Sequence, residues 1–96
     1  MTVRVSAQVV DFVGRLAPVP RRQLRAALRE LAKGKGDIKQ LEGPLQNYCR
    51  LRVGRYRVIL SYRTSRRVEC VFAEHRNIVY EVFADTMIDR LLAPVP

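Results

Sequence analysis

The spacing of apolar residues changes from helical to strand-like near the middle of the chain. At the start, Thr2 to Val5 alternates and is β-branched, which predicts a short strand. Ser6 can cap a following helix that carries Val9, Val10, Phe12, Val13 and Leu16 on one face. Ala17-Pro18-Val19-Pro20 interrupts it. Pro20 suits the first turn of a second helix, running to about Lys33, with Leu24, Ala27, Leu28 and Leu31 as its apolar stripe. Gly34 is placed for the left-handed residue beyond a helix end, and Lys33 to Asp37 reads as a loop pinned to the core by Ile38 and Leu41.

After the turn at Gly43-Pro44 the period falls to two. Three strands are predicted, at about Tyr48–Val53, Tyr56–Thr64 and Arg67–Glu74, with hairpin turns at Gly54-Arg55 and Ser65-Arg66. Such short connections require antiparallel neighbours. Ile78–Phe83 reads as a further extended piece, either added to the sheet or irregular. Asp85 then caps a last short helix with Met87, Ile88, Leu91 and Leu92 apolar, and Ala93-Pro94-Val95-Pro96 follows it. The expected architecture is one α+β domain over residues 1–96. An N-terminal strand and helical hairpin pack on one face of a curved antiparallel sheet, with a short C-terminal helix and the other face partly open.

Charge sharpens this picture. The chain carries +9 formally, and between Tyr48 and Arg67 there are seven arginines and no Asp or Glu. So strong a positive field on so small a body suits a polyanionic partner: nucleic acid, an acidic membrane or an acidic protein. Strand alternation puts Tyr48, Arg50 and Arg52 on one face, with Cys49, Leu51 and Val53 turned to the helices. The hairpin brings Arg57 beside Arg50 and Arg52. Three guanidiniums in one shallow groove repel unless an anion lies among them, and phosphate fits that place bidentately. Arg55 and Tyr48 lie close by, and Lys33 and Lys35 in the glycine-containing loop are further candidates for touching phosphate. That loop lacks the full nucleotide-binding spacing. Tyr56 and Tyr62 are expected in the core. Arg21, Arg22, Arg25 and Arg29 form a basic face on the second helix, either solvated or in contact with nucleic acid or an acidic protein.

Cys49 and Cys70 lie in apolar runs, as reduced buried thiols do, and neither they nor His75 have zinc spacing. No stretch approaches the ~18 apolar residues of a membrane span. The expectation is a cytoplasmic protein without a cofactor or metal.

The run Leu41 to Val58, read as L-x-G-x-x-x-x-Y-x-R-L-R-V-G-x-Y-R-V, resembles the signature of the RelE/ParE toxin family. His75-Arg76-Asn77-Ile78-Val79-Tyr80 is similar to the family's H-R-x-x-V-Y element. The resemblance implies a toxin of a type II toxin–antitoxin pair. Its activity would be that of a metal-independent endoribonuclease cutting mRNA in the ribosomal A site, through attack of the RNA 2′-hydroxyl on the adjacent phosphate. A cognate antitoxin would be its protein partner in a hetero-oligomer. By motif, Arg50, Arg52, Arg57 and Arg76 take the family's basic catalytic positions and Tyr80 its tyrosine. Arginine is a poor general base, so either another group serves or proton transfer matters less here, and His75 is a candidate for acid/base work. Alternation puts His75 and Arg76 on opposite faces unless the chain bends there. Two other readings share the resemblance: a ParE-like inhibitor of DNA gyrase, or an inactive basic module that only binds nucleic acid.

Overall fold

The computed structural model describes residues 1–92, and side chains through Met87. The elements run β1 Thr2–Val5, α1 Ala7–Arg15, α2 Pro18–Ala32, β2 Asp37–Gln40, a single 3-10 turn at Gly43–Leu45, β3 Cys49–Val53, β4 Tyr56–Thr64, β5 Arg67–His75 and α3 Val79–Leu92. Among the described residues no helix is long and apolar enough to cross a membrane.

Ser6 starts α1 as its pattern requires: its Oγ accepts from the Val9 amide at 3.2 Å and donates to the Val71 carbonyl at 3.0 Å. α2 begins at Pro18, which places Pro20 in its first turn as expected, where amides have no helical acceptor and proline is tolerated. It ends as expected, with Gly34 at φ 75° just past its end.

The five strands order as β1-β5-β4-β3-β2. β2 to β5 form an antiparallel meander, but β1 lies parallel to β5, with Val3 opposite Val68. The sheet is therefore mixed, not purely antiparallel. The helical hairpin carries the chain from one edge of the sheet to the other, so that β2 runs opposite to β1. Three reversals then leave β5 parallel with β1. β1 stops at the register of Cys70, and β5 continues. Beyond β1, Gln8 takes over that edge: its Nε2 donates to the Ala73 carbonyl and its Oε1 accepts from the Ala73 amide, both at 2.8 Å.

The main core lies between the hairpin and one sheet face. Val9, Val13, Leu24 and Leu31 meet Leu51, Val58, Leu60, Val68, Cys70 and Ala73. A second, smaller core occupies the opposite face, where Ile59 and Phe72 pack under Val79 and Phe83 of α3. This corrects three expectations. Ile78–Phe83 is not extended: Val79, Phe83 and Met87 recur at helical spacing and seal Ile59 and Phe72. Asp85 lies inside α3 and does not cap it. The second face is accordingly half covered, with helices on both sides of the sheet. Ile88, Leu91 and Leu92, the rest of the predicted apolar stripe, have side chains outside those described, and Ala93 to Pro96 lie outside the described residues.

Two further differences have local causes. Residues 37–40 form β2 and not a loop, because Ile38 pairs with Leu51 and packs on the main core. Tyr62 is 43% exposed and not in the core. It sits on β4 beyond Leu60, the residue opposite the start of β3, so no third strand flanks it.

Candidate nucleic-acid interface

The register of the sheet assembles the site. On the face that α3 partly covers, one row crosses four strands as Asp37, Arg52, Arg57 and Glu74. A neighbouring row runs Lys39, Arg50, Ile59 and Phe72. The apolar end of the second row lies under α3, and its basic end lies open beside the first. The turn that sets this register contains Gly54 at φ 57°, a left-handed position that glycine adopts without a Cβ penalty.

Arg52 is exposed and stands directly opposite the half-buried Arg57. Neither makes an ion pair among the described residues. Arg57 instead turns one Nη1 back to the carbonyls of Gly54 at 2.9 Å and Tyr56 at 2.8 Å. Its guanidinium is held below its ordinary pKa, first by burial and then by Arg52, with smaller pushes in the same direction from Arg50 and Arg76 and an opposing one from Tyr80. Arg57 thus feels the other three arginines and the tyrosine named in the sequence. Each guanidinium keeps its charge at neutral pH, and like charges directly across a strand pair cost up to about 1 kcal/mol.

Arg50 is different. Its side chain is 17% exposed, and its Nη1 donates to the Asp37 carbonyl at 3.0 Å and to Asp37 Oδ1 at 3.2 Å. It lines a groove of about 320 Å³ together with Lys39, Gln40, Leu41, Glu42 and Tyr80. Tyr80 lies in the first turn of α3 and is 38% exposed, so its ring is available in that groove. Arg76 is exposed in the connection before α3, where its amide donates to the Arg55 carbonyl at 2.8 Å. This bond ties the β3–β4 turn to the start of α3. Arg55 is exposed at that same turn.

His75 falls outside the cluster. It pairs with Tyr56 in register and therefore shares the helical-hairpin face, opposite Arg57. Its ring meets Tyr56 edge-on with centroids 6.0 Å apart, and its Nδ1 accepts from the Asn77 amide at 3.2 Å. Tyr48 is held by packing: its ring meets Phe83 edge-on at 5.1 Å. Lys33 and Lys35 flank the end of α2, where Lys33 pairs with Glu30 at 3.2 Å. Nothing in the sheet register brings either lysine into the arginine rows.

Three polar residues of the site escaped the sequence reading: Asp37, Lys39 and Glu74. The first two fall where the sequence predicts a loop. Their signal was the polar–apolar alternation of Asp37-Ile38-Lys39, short enough to pass for a linker. Glu74 was counted in a strand, but its place opposite Arg57 follows only from the register.

No protein-family model matches the chain, and no curated protein does so either. Solved structures do. A chain of the RelB–RelE antitoxin–toxin complex from Methanococcus jannaschii superposes with a TM-score of 0.65 at 22% identity, covering 83% of this chain and 98% of that one. A chain of the RelBE2 toxin–antitoxin complex from Mycobacterium tuberculosis gives 0.61 at 21%, covering 78% and 96%. A YoeB/ParE toxin from Agrobacterium tumefaciens gives 0.56 at 18%, covering 79% and 99%. Below a quarter identity such likeness is a statement about backbone architecture. The helical hairpin, the mixed five-stranded sheet and the helix on its second face give this chain a RelE-like fold.

Proposed function

We propose that this chain is the toxin of a type II toxin–antitoxin pair and that it poisons the cell as a metal-independent endoribonuclease acting on ribosome-bound mRNA in the cytoplasm. The observation that carries the proposal is the facing pair Arg52 and Arg57, two guanidiniums on adjacent strands that make no ion pair among the described residues, in the row next to that of Arg50, which lines an open groove. RNA supplies both reactants. Its 2′-oxygen attacks the adjacent phosphorus, the bond to the 5′-oxygen breaks, and a cyclic phosphate remains. Charge builds on the non-bridging oxygens during that step. Fixed guanidiniums aimed at them stabilise the transition state more than the ground state. Arg50, locked by Asp37, and Tyr80 line the groove in which the flanking nucleotide would lie, with the tyrosine ring available to stack on a base. Arg76 adds positive charge at the rim.

An antitoxin partner is supported by the similar structures, two of which are antitoxin–toxin complexes. The net charge of +9 also suits an acidic protein able to cover the site.

Inducible expression with mapping of message ends on arrested ribosomes tests the proposal. The expected result is a stop in translation with cuts in ribosome-bound mRNA, abolished by Arg57→Ala. A DNA-damage response with translation and messages intact would overturn it in favour of a gyrase-directed toxin. Salt-sensitive RNA binding with no cut on ribosomes would overturn it in favour of a passive binding module.

A further inference from the structure

The arginine rows can stabilise a phosphate but cannot accept the proton of the attacking hydroxyl, because a guanidinium has no acceptor. Cleavage at this site therefore needs a base from elsewhere. His75 faces the other side of the sheet, with its Nδ1 engaged by the Asn77 amide. Asp37 lies on the correct face but is tied to Arg50. Glu42 lines the groove next to Arg50 and Tyr80, away from the Arg52–Arg57 row.

Glu74 remains. It sits directly across from Arg57 in the β4–β5 register, on the same face as Arg52 and Arg57. It is half-buried and makes no ion pair among the described residues. One carboxylate oxygen, Oε1, accepts from the His75 amide at 2.9 Å, which holds the group in place and leaves Oε2 unengaged. Its backbone position faces that of Arg57 and lies two strands from Arg52, and no cation among the described residues pairs with its carboxylate.

We infer that Glu74 is the general base of the site, taking the proton of the RNA 2′-hydroxyl while Arg52 and Arg57 hold the phosphate that this oxygen attacks. The inference rests on the endoribonuclease reading above. In the step, the 2′-oxygen–phosphorus bond forms as the hydroxyl proton passes to Glu74. The phosphorus–5′-oxygen bond breaks, and the departing oxygen takes a proton from water. Glu74 then returns its proton to solvent. No oxidant, metal or third reactant enters. The arrangement divides the labour by residue type: permanent cations for charge, a carboxylate for the proton.

Glu74→Gln is the discriminating variant, because its amide oxygen can keep the bond to the His75 amide while losing the basic site. The purified full chain would be assayed in single-turnover cleavage of ribosome-bound message, beside wild type and Arg57→Ala, with RNA binding measured in parallel. The expected result is a loss of about 100-fold or more in the cleavage rate with RNA affinity within about threefold of wild type. Glu74→Ala should lose as much and regain part of its activity in added formate, but not in chloride of equal ionic strength. If Glu74→Gln cuts within threefold of wild type while Arg57→Ala is inactive, the base is another group and the inference fails with the nuclease reading intact. If wild type cuts no message, the nuclease reading itself fails and this inference falls with it.

Discussion

Arg52 and Arg57 are cross-strand partners, so two permanent positive charges share one register position on an open sheet face. Natural sheets seldom place like charges opposite one another, because the repulsion weakens the strand pair. Here burial and the Arg52 charge are the two largest influences on the Arg57 guanidinium. The pair stores a repulsion that an anion relieves, and it links stability and activity in opposite senses.

Arg57→Ala should accordingly lower cleavage by about 100-fold or more while leaving the free protein as stable as wild type, or more stable by up to about 1 kcal/mol. Single-turnover cleavage and urea melts of the same preparations test both halves. A variant that loses activity by unfolding would count against the assignment.

Gln8 is a structural residue at the edge of β5. Gln8→Leu removes both bonds to Ala73 and leaves its backbone groups without those partners, at an expected cost of about 1–3 kcal/mol in chemical denaturation. A loss below about 0.5 kcal/mol would show that solvent replaces the glutamine.

Gly36 precedes β2 with φ 149°, and a Cβ added there would lie 2.7 Å from Leu51 Cδ1. Gly36→Ala should cost about 1–3 kcal/mol. Because β2 carries Asp37, which holds Arg50, Gly36→Ala should also weaken RNA binding measured under conditions where the protein is folded. Unchanged binding in the folded variant would separate the loop from the site.

Burial pushes the Cys70 thiol from its ordinary 9.0 up to about 11. Between these values the unfolded chain gives up the thiol proton while the folded one keeps it, so unfolding becomes more favourable as pH rises. The contribution is fully present below pH 9 and lost on approach to 11, amounting to about 2–3 kcal/mol. Melts of wild type and Cys70→Ala across this range should converge in stability as pH rises. Parallel curves would sink the assignment.

The helical hairpin and the three-strand meander were legible because each signal is local. The apolar stripe of residues 24–31, the cap at Ser6 and the turn at Gly54 depend on neighbours within a few positions. The last helix was misread for the same reason. Ile78, Val79, Tyr80, Val82 and Phe83 all favour strands in isolation. Only the apolar pair Ile59 and Phe72 on the sheet beneath, which the helix buries, makes the helical spacing of Val79 and Phe83 the lower-energy choice. β2 was missed because four residues carry too little periodicity to outweigh the glycines before them.

The chain by itself determined which residue types meet on each strand face and that one segment would be uniformly cationic, since period-two alternation and formal charge need no tertiary information. Tertiary structure decided which cations are paired among the described residues: Arg50 is claimed by Asp37, whereas Arg52 and Arg57 face each other with Glu74 at the end of their row. It also placed His75 on the far side of the sheet. Pairing across strands depends on register, and register is set jointly by turn geometry and by burial of both sheet faces, quantities that no single segment contains.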